Sequence, residues 1–321
     1  MRKAVKICIL IAILLIVSGV AVFVLAFSSA SWDLSKLVTE SYETNTYEIG
    51  EKFDDISIRI DTADVVFVPS EDGICRVTCY EKEKEKHTVS VLDGTLTVNL
   101  VSEKNWYDYI GIGFETPRVT ISLPKEQYGK LSVKGDTGDV KIPKELKLES
   151  IDVSISTGDV FCSASATQAI EIKVSTGDVR VEDVRARTLS IVASTGKVKV
   201  SNVTCEGDAL IRVTTGDVVL TDVTCKSLGS TGGTGDLSLK RVLATQAFSL
   251  KRSTGDVDLE DCDAAEIFIV TDTGHVKGTL LSEKVFVVET DTGKKDVPNT
   301  GSGGRCEITT DTGDIVILVK S

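Results

Sequence analysis

From residue 131 onward, one pattern of apolar and polar positions returns every 19 or 20 residues. Each copy is centred on a glycine, in the series Gly138, Gly158, Gly177, Gly196, Gly216, Gly235, Gly255, Gly274, Gly293 and Gly313. Counted from that glycine, apolar residues recur at −7, −5, −3, +2, +4 and +7. Around Gly177 these are Ile170, Ile172, Val174, Val179, Val181 and Val184. A period of two on both sides of the glycine predicts two short strands that send alternate side chains inward. The residues between, such as Glu171, Lys173, Arg180 and Glu182, face water. Glycine suits the corner because it takes positive φ without strain. A second bend is expected at Asp183, Asn202, Asp222 and Asp261, residue types that bond to their own backbone in turns.

A unit of this size cannot bury its apolar face alone and must stack on its neighbours. Strands returning in one phase stack in parallel about 4.8 Å apart. The expected fold is all-β: a parallel β-solenoid of about ten rungs, on the order of 50 Å long by that spacing and right-handed by the rule for parallel crossovers. The pattern also fits residues 56–67, with Ala63 as the corner and Ile56, Ile58, Ile60, Val65 and Phe67 inward. Between that rung and Leu131 the period breaks into alternating runs around an Asp93-Gly94 hairpin signal. These runs predict an antiparallel cap over the open sheet edge. The domain plan is therefore 1–29 cytoplasmic tip and apolar anchor, 30–49 polar stalk, 50–130 first rung and cap, and 131–321 solenoid.

The anchor is the uncharged run of 21 residues from Ile7 to Phe27, long enough to cross a bilayer as one helix. Arg2, Lys3 and Lys6 precede it, and the next basic residue is Lys36. This bias places the amino terminus in the cytoplasm and the rest outside, as a single-pass membrane protein. Cleavage at Ser28-Ser29-Ala30 is the alternative, but the apolar run exceeds the usual core of about 7–15 residues in a signal peptide. Of 36 basic residues, three lie ahead of the anchor; the remaining 33 against 48 acidic ones leave a formal charge of −15 outside. That excludes nucleic acid as a partner and favours cationic ligands or simple solubility.

Seven of the eight cysteines lie beyond the anchor, and no C-x-x-C pair suggests zinc. Cys262 and Cys306 fall at inward positions and read as core hydrophobes. Cys205 and Cys225 each stand nine residues after a corner glycine. They are expected on the same outer bend of adjacent rungs, about 5 Å apart, as either a disulfide or two free thiols.

Asp-Thr-Gly, the tripeptide that carries the carboxylate of pepsin-like proteases, occurs at 136–138, 272–274, 291–293 and 311–313. Such a protease needs two facing carboxylates sharing a proton, whereas here the tripeptide belongs to a ten-fold repeated corner. Aspartates recur at +1 as a column whose charges repel unless cations or hydrogen bonds intervene. His275 and Lys294 offset Asp272 and Asp291. Asp136 with Asp139 and Asp311 with Asp314 lack that offset and are the best calcium candidates, with a solvated turn as the default. No catalytic residue and no cofactor is expected: aromatic residues are 5% of the chain, and His87 and His275 are isolated in sequence.

With Ser/Thr-Thr-Gly-Asp-Val-like corners behind one apolar helix, residues 50–319 resemble the bacterial toastrack family of adhesin-like β-strand repeats. The resemblance implies a non-catalytic binding or sensing accessory at the cell envelope, with signalling membrane proteins as partners in a stress response. A surface adhesin or structural spacer is the alternative, and a polysaccharide-active enzyme a more distant one. Gly232-Gly233 and Lys294-Lys295 depart from the corner pattern, which suggests looser packing there. Residues 105–114 gather Trp106, Tyr107, Tyr109, Ile110 and Phe114, either covering the first rung or contacting a partner.

Overall fold

A computed structural model describes residues 2–29, 41–102 and 115–320. They form two compact units, one of Met1–Glu43 with Lys82–Glu85 and Ser102–Glu115, the other of Thr44–Glu81 with Lys86–Val101 and Thr116–Ser321. The first contains the helix Arg2–Ser29, within which Val5–Leu25 is long and apolar enough to cross a membrane, with a mean hydropathy of 3.2.

The second unit is a parallel β-solenoid. Its strands pair in register from rung to rung: Ile151 with Ile170, Ile170 with Leu189, and Leu189 with Ala209. The inward positions are buried as the alternation requires, with Ile172, Val181, Ile191, Val200 and Leu220 all at 0% exposure. Each such aliphatic side chain contributes about 1.5–3 kcal/mol by leaving water. The second bend is left-handed at Asp183, Asn202, Asp222 and Asp261, and at Arg241 as well. Asp222 and Arg241 then pair across the stack through two hydrogen bonds of 2.6 and 2.7 Å.

At both ends the rungs leave sequence order. The strand Gly304–Thr312 lies between Val257–Thr273 and Lys284–Thr292, pairing in parallel with each. The last rung thus sits inside the stack and the Gly293 rung outside it. Lys295 explains the choice: it occupies the +2 position, where other rungs bury a valine, leucine or isoleucine, and it is exposed. Only an end rung leaves that ammonium in water. The amino-terminal end mirrors this arrangement. Strands Thr95–Ser102 and Arg118–Leu123 are parallel to Asp55–Arg59 and Asp64–Pro69, so the Ala63 rung is enclosed between them and the Gly138 rung. The expected antiparallel cap is therefore smaller than residues 50–130. Cys75–Lys82 runs antiparallel to Arg118–Leu123 and pairs with Tyr42–Ile49. The latter strand falls within the segment expected as a stalk; Tyr47 and Ile49 turn inward, and the polar Asn45 had hidden the alternation. Asp93 and Gly94 both have positive φ, the backbone of the expected hairpin turn.

The Gly232 rung is filled rather than loose. A Cβ on Gly232 would stand 2.5 Å from Nη1 of Arg252, which lies one period later at an inward position. Arg252 is 1% exposed, donates to Ser230 Oγ at 3.0 Å and to the Lys251 carbonyl at 3.1 Å, and has no carboxylate partner among the described residues. Burial lowers its pKa to about 10.

All seven cysteines beyond the helix are buried. Burial pushes the thiols of Cys75, Cys205 and Cys262 up to about 11, and those of Cys79, Cys162, Cys225 and Cys306 up to about 12. An unfolded thiol ionises near 8.5. The folded chain thus keeps protons that the unfolded chain releases, and the associated stability is full below about pH 8.5 and lost as pH rises toward 11–12. The urea midpoint is expected to fall between pH 9 and 11, and to fall less steeply in Cys162→Ala. A slope identical in the two proteins would contradict this linkage.

Candidate functional site

The repeated corners hold most of the candidate chemistry. At every corner but the outermost, that of Gly293, the glycine N–H reaches the threonine carbonyl of the next rung, as from Gly177 to Thr195 at 3.0 Å, and the +2 N–H reaches the next +1 carbonyl. The +1 N–H turns the other way, toward the preceding rung, where the acceptor is a side chain. Asp64 Oδ1 accepts from Asp139 N–H at 3.0 Å, Asp139 from Asp159 at 2.9 Å, Asp159 from Asp178 at 2.7 Å and Asp178 from Lys197 at 2.8 Å. Lys197 offers no acceptor, and the series resumes from Asp217 through Asp236 and Asp256 to His275. His275 then uses Nδ1 as the acceptor for Asp314 N–H at 2.9 Å, and Asp314 Oδ1 accepts from Lys294 N–H at 2.8 Å. Aspartate therefore recurs at +1 because each tight corner leaves one amide without a carbonyl. Hydrogen bonds are what intervene between the stacked carboxylates.

Asp139 and Asp314 are members of this ladder, whereas Asp136 and Asp311 lie outside it at −2. Asp136 accepts a long bond of 3.5 Å from Ser156 Oγ. Asp311 gains new neighbours from the out-of-order ending. Thr312 pairs with both Thr273 and Thr292, so Asp272, Asp311 and Asp291, each one residue earlier, form one exposed row at a strand spacing of about 4.8 Å. The four carboxylates named for calcium do not belong to any cluster of three metal-ligating side chains among the described residues.

Cys205 and Cys225 stand on adjacent rungs, one residue beyond the Thr204–Thr224 pair, as their spacing implies. Their outward location is corrected, since they are 3% and 2% exposed. The left-handed residue at +6 shifts the phase between +4 and +7, and +9 follows the inward +7 by simple alternation. Both thiols are free in the structure. Trp106, Tyr107, Tyr109, Ile110 and Phe114 lie outside the described residues.

Sequence reasoning missed a buried polar cluster. Glu81, 0% exposed, accepts from His87 N–H and His87 Nδ1 at Oε2, both at 2.7 Å, and from Asn45 Nδ2 at Oε1, also at 2.7 Å. Cys79 lies beside them. The signal was present: Cys75, Val77 and Cys79 form an inward row with period two, and Glu81 continues it with a charge.

The family model described as Toastrack DUF4097 matches residues 53–222 and 210–321, most of the chain. The chain belongs to the toastrack family. Among solved structures, this toastrack chain is similar to a candidate adhesin from Bacteroides fragilis at 16% identity, covering 87% of this chain and 97% of that one with a TM-score of 0.43. A candidate lipid-binding protein from Parabacteroides distasonis is 16% identical, with coverages of 85% and 98% and a TM-score of 0.45. A candidate adhesin from the same species is 11% identical, with the same coverages and a TM-score of 0.46. A search of curated proteins gave no match.

Proposed function

We propose that this toastrack chain is a membrane-anchored, non-catalytic contact protein that displays its solenoid outside the cell as an adhesin. The observation that carries the reading is the corner ladder, in which the carboxylates most often repeated in the chain accept backbone amides of the next rung. Carboxylates used in this way build the scaffold and leave binding to residues that break the repeat. The exposed row of Asp272, Asp311 and Asp291 is such a departure, and with the excess of acidic residues it suits cationic groups on a partner surface. Arg2, Lys3 and Lys6 ahead of the helix support export of the chain beyond it. The same display would serve a sensing accessory if the partner were a signalling protein in the cell's own membrane.

Retention under flow on a cationic surface tests the reading. Non-adherent bacteria that display the full chain are expected to be held severalfold better than cells without it. The gain should shrink with added salt and in a variant carrying Asp272→Asn, Asp291→Asn and Asp311→Asn. No gain on cationic surfaces, matrix or neighbouring cells, together with co-purification of a membrane signalling protein, would replace adhesion by sensing.

A further inference from the structure

Independently of the adhesive reading, we infer that Cys79, Glu81 and His87 form a binding site for a divalent transition-metal ion of the zinc class. The three side chains are 0%, 0% and 4% exposed, and one donor atom from each lies within 4.8 Å of the other two. Tetrahedral coordination with bonds of about 2.0–2.3 Å places ligand atoms about 3.5 Å apart, so side-chain rotations of about 1 Å close the site. Thiolate, imidazole and carboxylate are the donors such an ion selects, and their summed charge of about −2 neutralises it in a low-dielectric interior.

Two features set this cluster apart from an ordinary buried ion pair. His87 Nε2 is buried without a hydrogen-bond partner among the described residues, whereas buried imidazole nitrogens are as a rule satisfied. Nδ1, the nitrogen 2.7 Å from Glu81 Oε2, is the one placed to share an ion with that carboxylate, and the ring proton then moves to the unpartnered Nε2. Glu81, by contrast, is held by two donors outside the ligand set, the His87 backbone N–H at Oε2 and Asn45 Nδ2 at Oε1, as supporting residues hold the ligands of bound metals. Binding releases the Cys79 thiol proton to solvent, so uptake is accompanied by acidification. Three protein donors leave one position for an exogenous ligand.

The test uses the full chain in detergent, stripped with a chelator and titrated with Co(II) alone. One equivalent is expected to bind, with a near-ultraviolet thiolate-to-cobalt band, a tetrahedral visible spectrum and a saturable rise in Tm. Zn(II) should displace it. Cys79→Ser should abolish the thiolate band, and His87→Gln should weaken binding at least tenfold, while Cys225→Ser leaves both unchanged. Far-UV circular dichroism shows whether the variants are folded, and if neither is, the wild-type titration decides alone. Absence of a saturable, thiolate-coloured complex in the wild-type chain, or its persistence in folded Cys79→Ser, overturns the assignment.

Discussion

Truncation after Ser302 is expected to unpack the rung that precedes the cut as well as removing the last one. The deleted strands Gly304–Thr312 and Ile315–Val319 supply the parallel partners of Lys284–Thr292 and Lys295–Asp296. Without them, residues 284–296 lose both ladders, and the edges at Ile267–Thr273 and Val276–Leu280 open to solvent. The buried Cys306, Ile308, Ile315 and Ile317 leave with the deletion, a loss on the order of 10 kcal/mol at about 1.5–3 kcal/mol each. Hydrogen exchange read by mass spectrometry should show 284–292 exchanging as an unfolded segment, and the exposed edges should promote aggregation. A stack in sequence order would leave 284–292 seated on the Gly274 rung. Retained protection there would therefore refute the out-of-order ending.

Gly196→Ala should be the most damaging single-methyl change in the middle of the stack. Gly196 has φ of 141°, and an added Cβ would lie 1.9 Å from the Gly177 carbonyl oxygen. The backbone region costs a non-glycine residue about 1–3 kcal/mol, and the forced separation of two rungs costs a similar amount. The sum, about 4 kcal/mol, corresponds to a fall in Tm of about 10 °C for a unit of this size. Gly50→Ala is the control, since Gly50 has no atom within 4 Å of the added carbon, and it should change Tm by no more than 1–2 degrees, roughly what a neutral surface substitution does. Equal effects of the two substitutions would show that the corner contact is not what requires glycine.

Local rules reached the repeated part of the fold and stopped where two rungs must be compared. Alternation about each glycine specifies which side chains point inward, and the structure buries them accordingly. It does not specify which rung lies on which, because every rung presents nearly the same apolar column. The ends are decided by exceptions, above all Lys295 at a position that is otherwise apolar. Arg252 and Gly232 illustrate the same difficulty. Each breaks the pattern when read alone, yet one fills the space the other leaves, a full period away. The inward turn of Cys205 and Cys225 was legible, since +9 follows the inward +7 by alternation, and only the expectation of an outer bend there hid it. The Asp column was visible as a column, and its purpose became clear only with the direction of the +1 amide. His87 meets Glu81 across a hairpin, a pairing that repeat periodicity does not address.

Corner carboxylates hold the rungs together, and the exchange rate of the Lys197 amide reports on that contact directly. Asp178 Oδ1 accepts this N–H at 2.8 Å. In Asp178→Ala the amide loses its acceptor, at a cost of about 1–2 kcal/mol, and should exchange about tenfold faster, while Asp178→Asn, which keeps an oxygen in place, should preserve most of its protection. Calcium should leave the rate in the wild-type chain unchanged. An amide equally protected in Asp178→Ala, or one that calcium slows in the wild type, would contradict the structural role assigned to the corner aspartates.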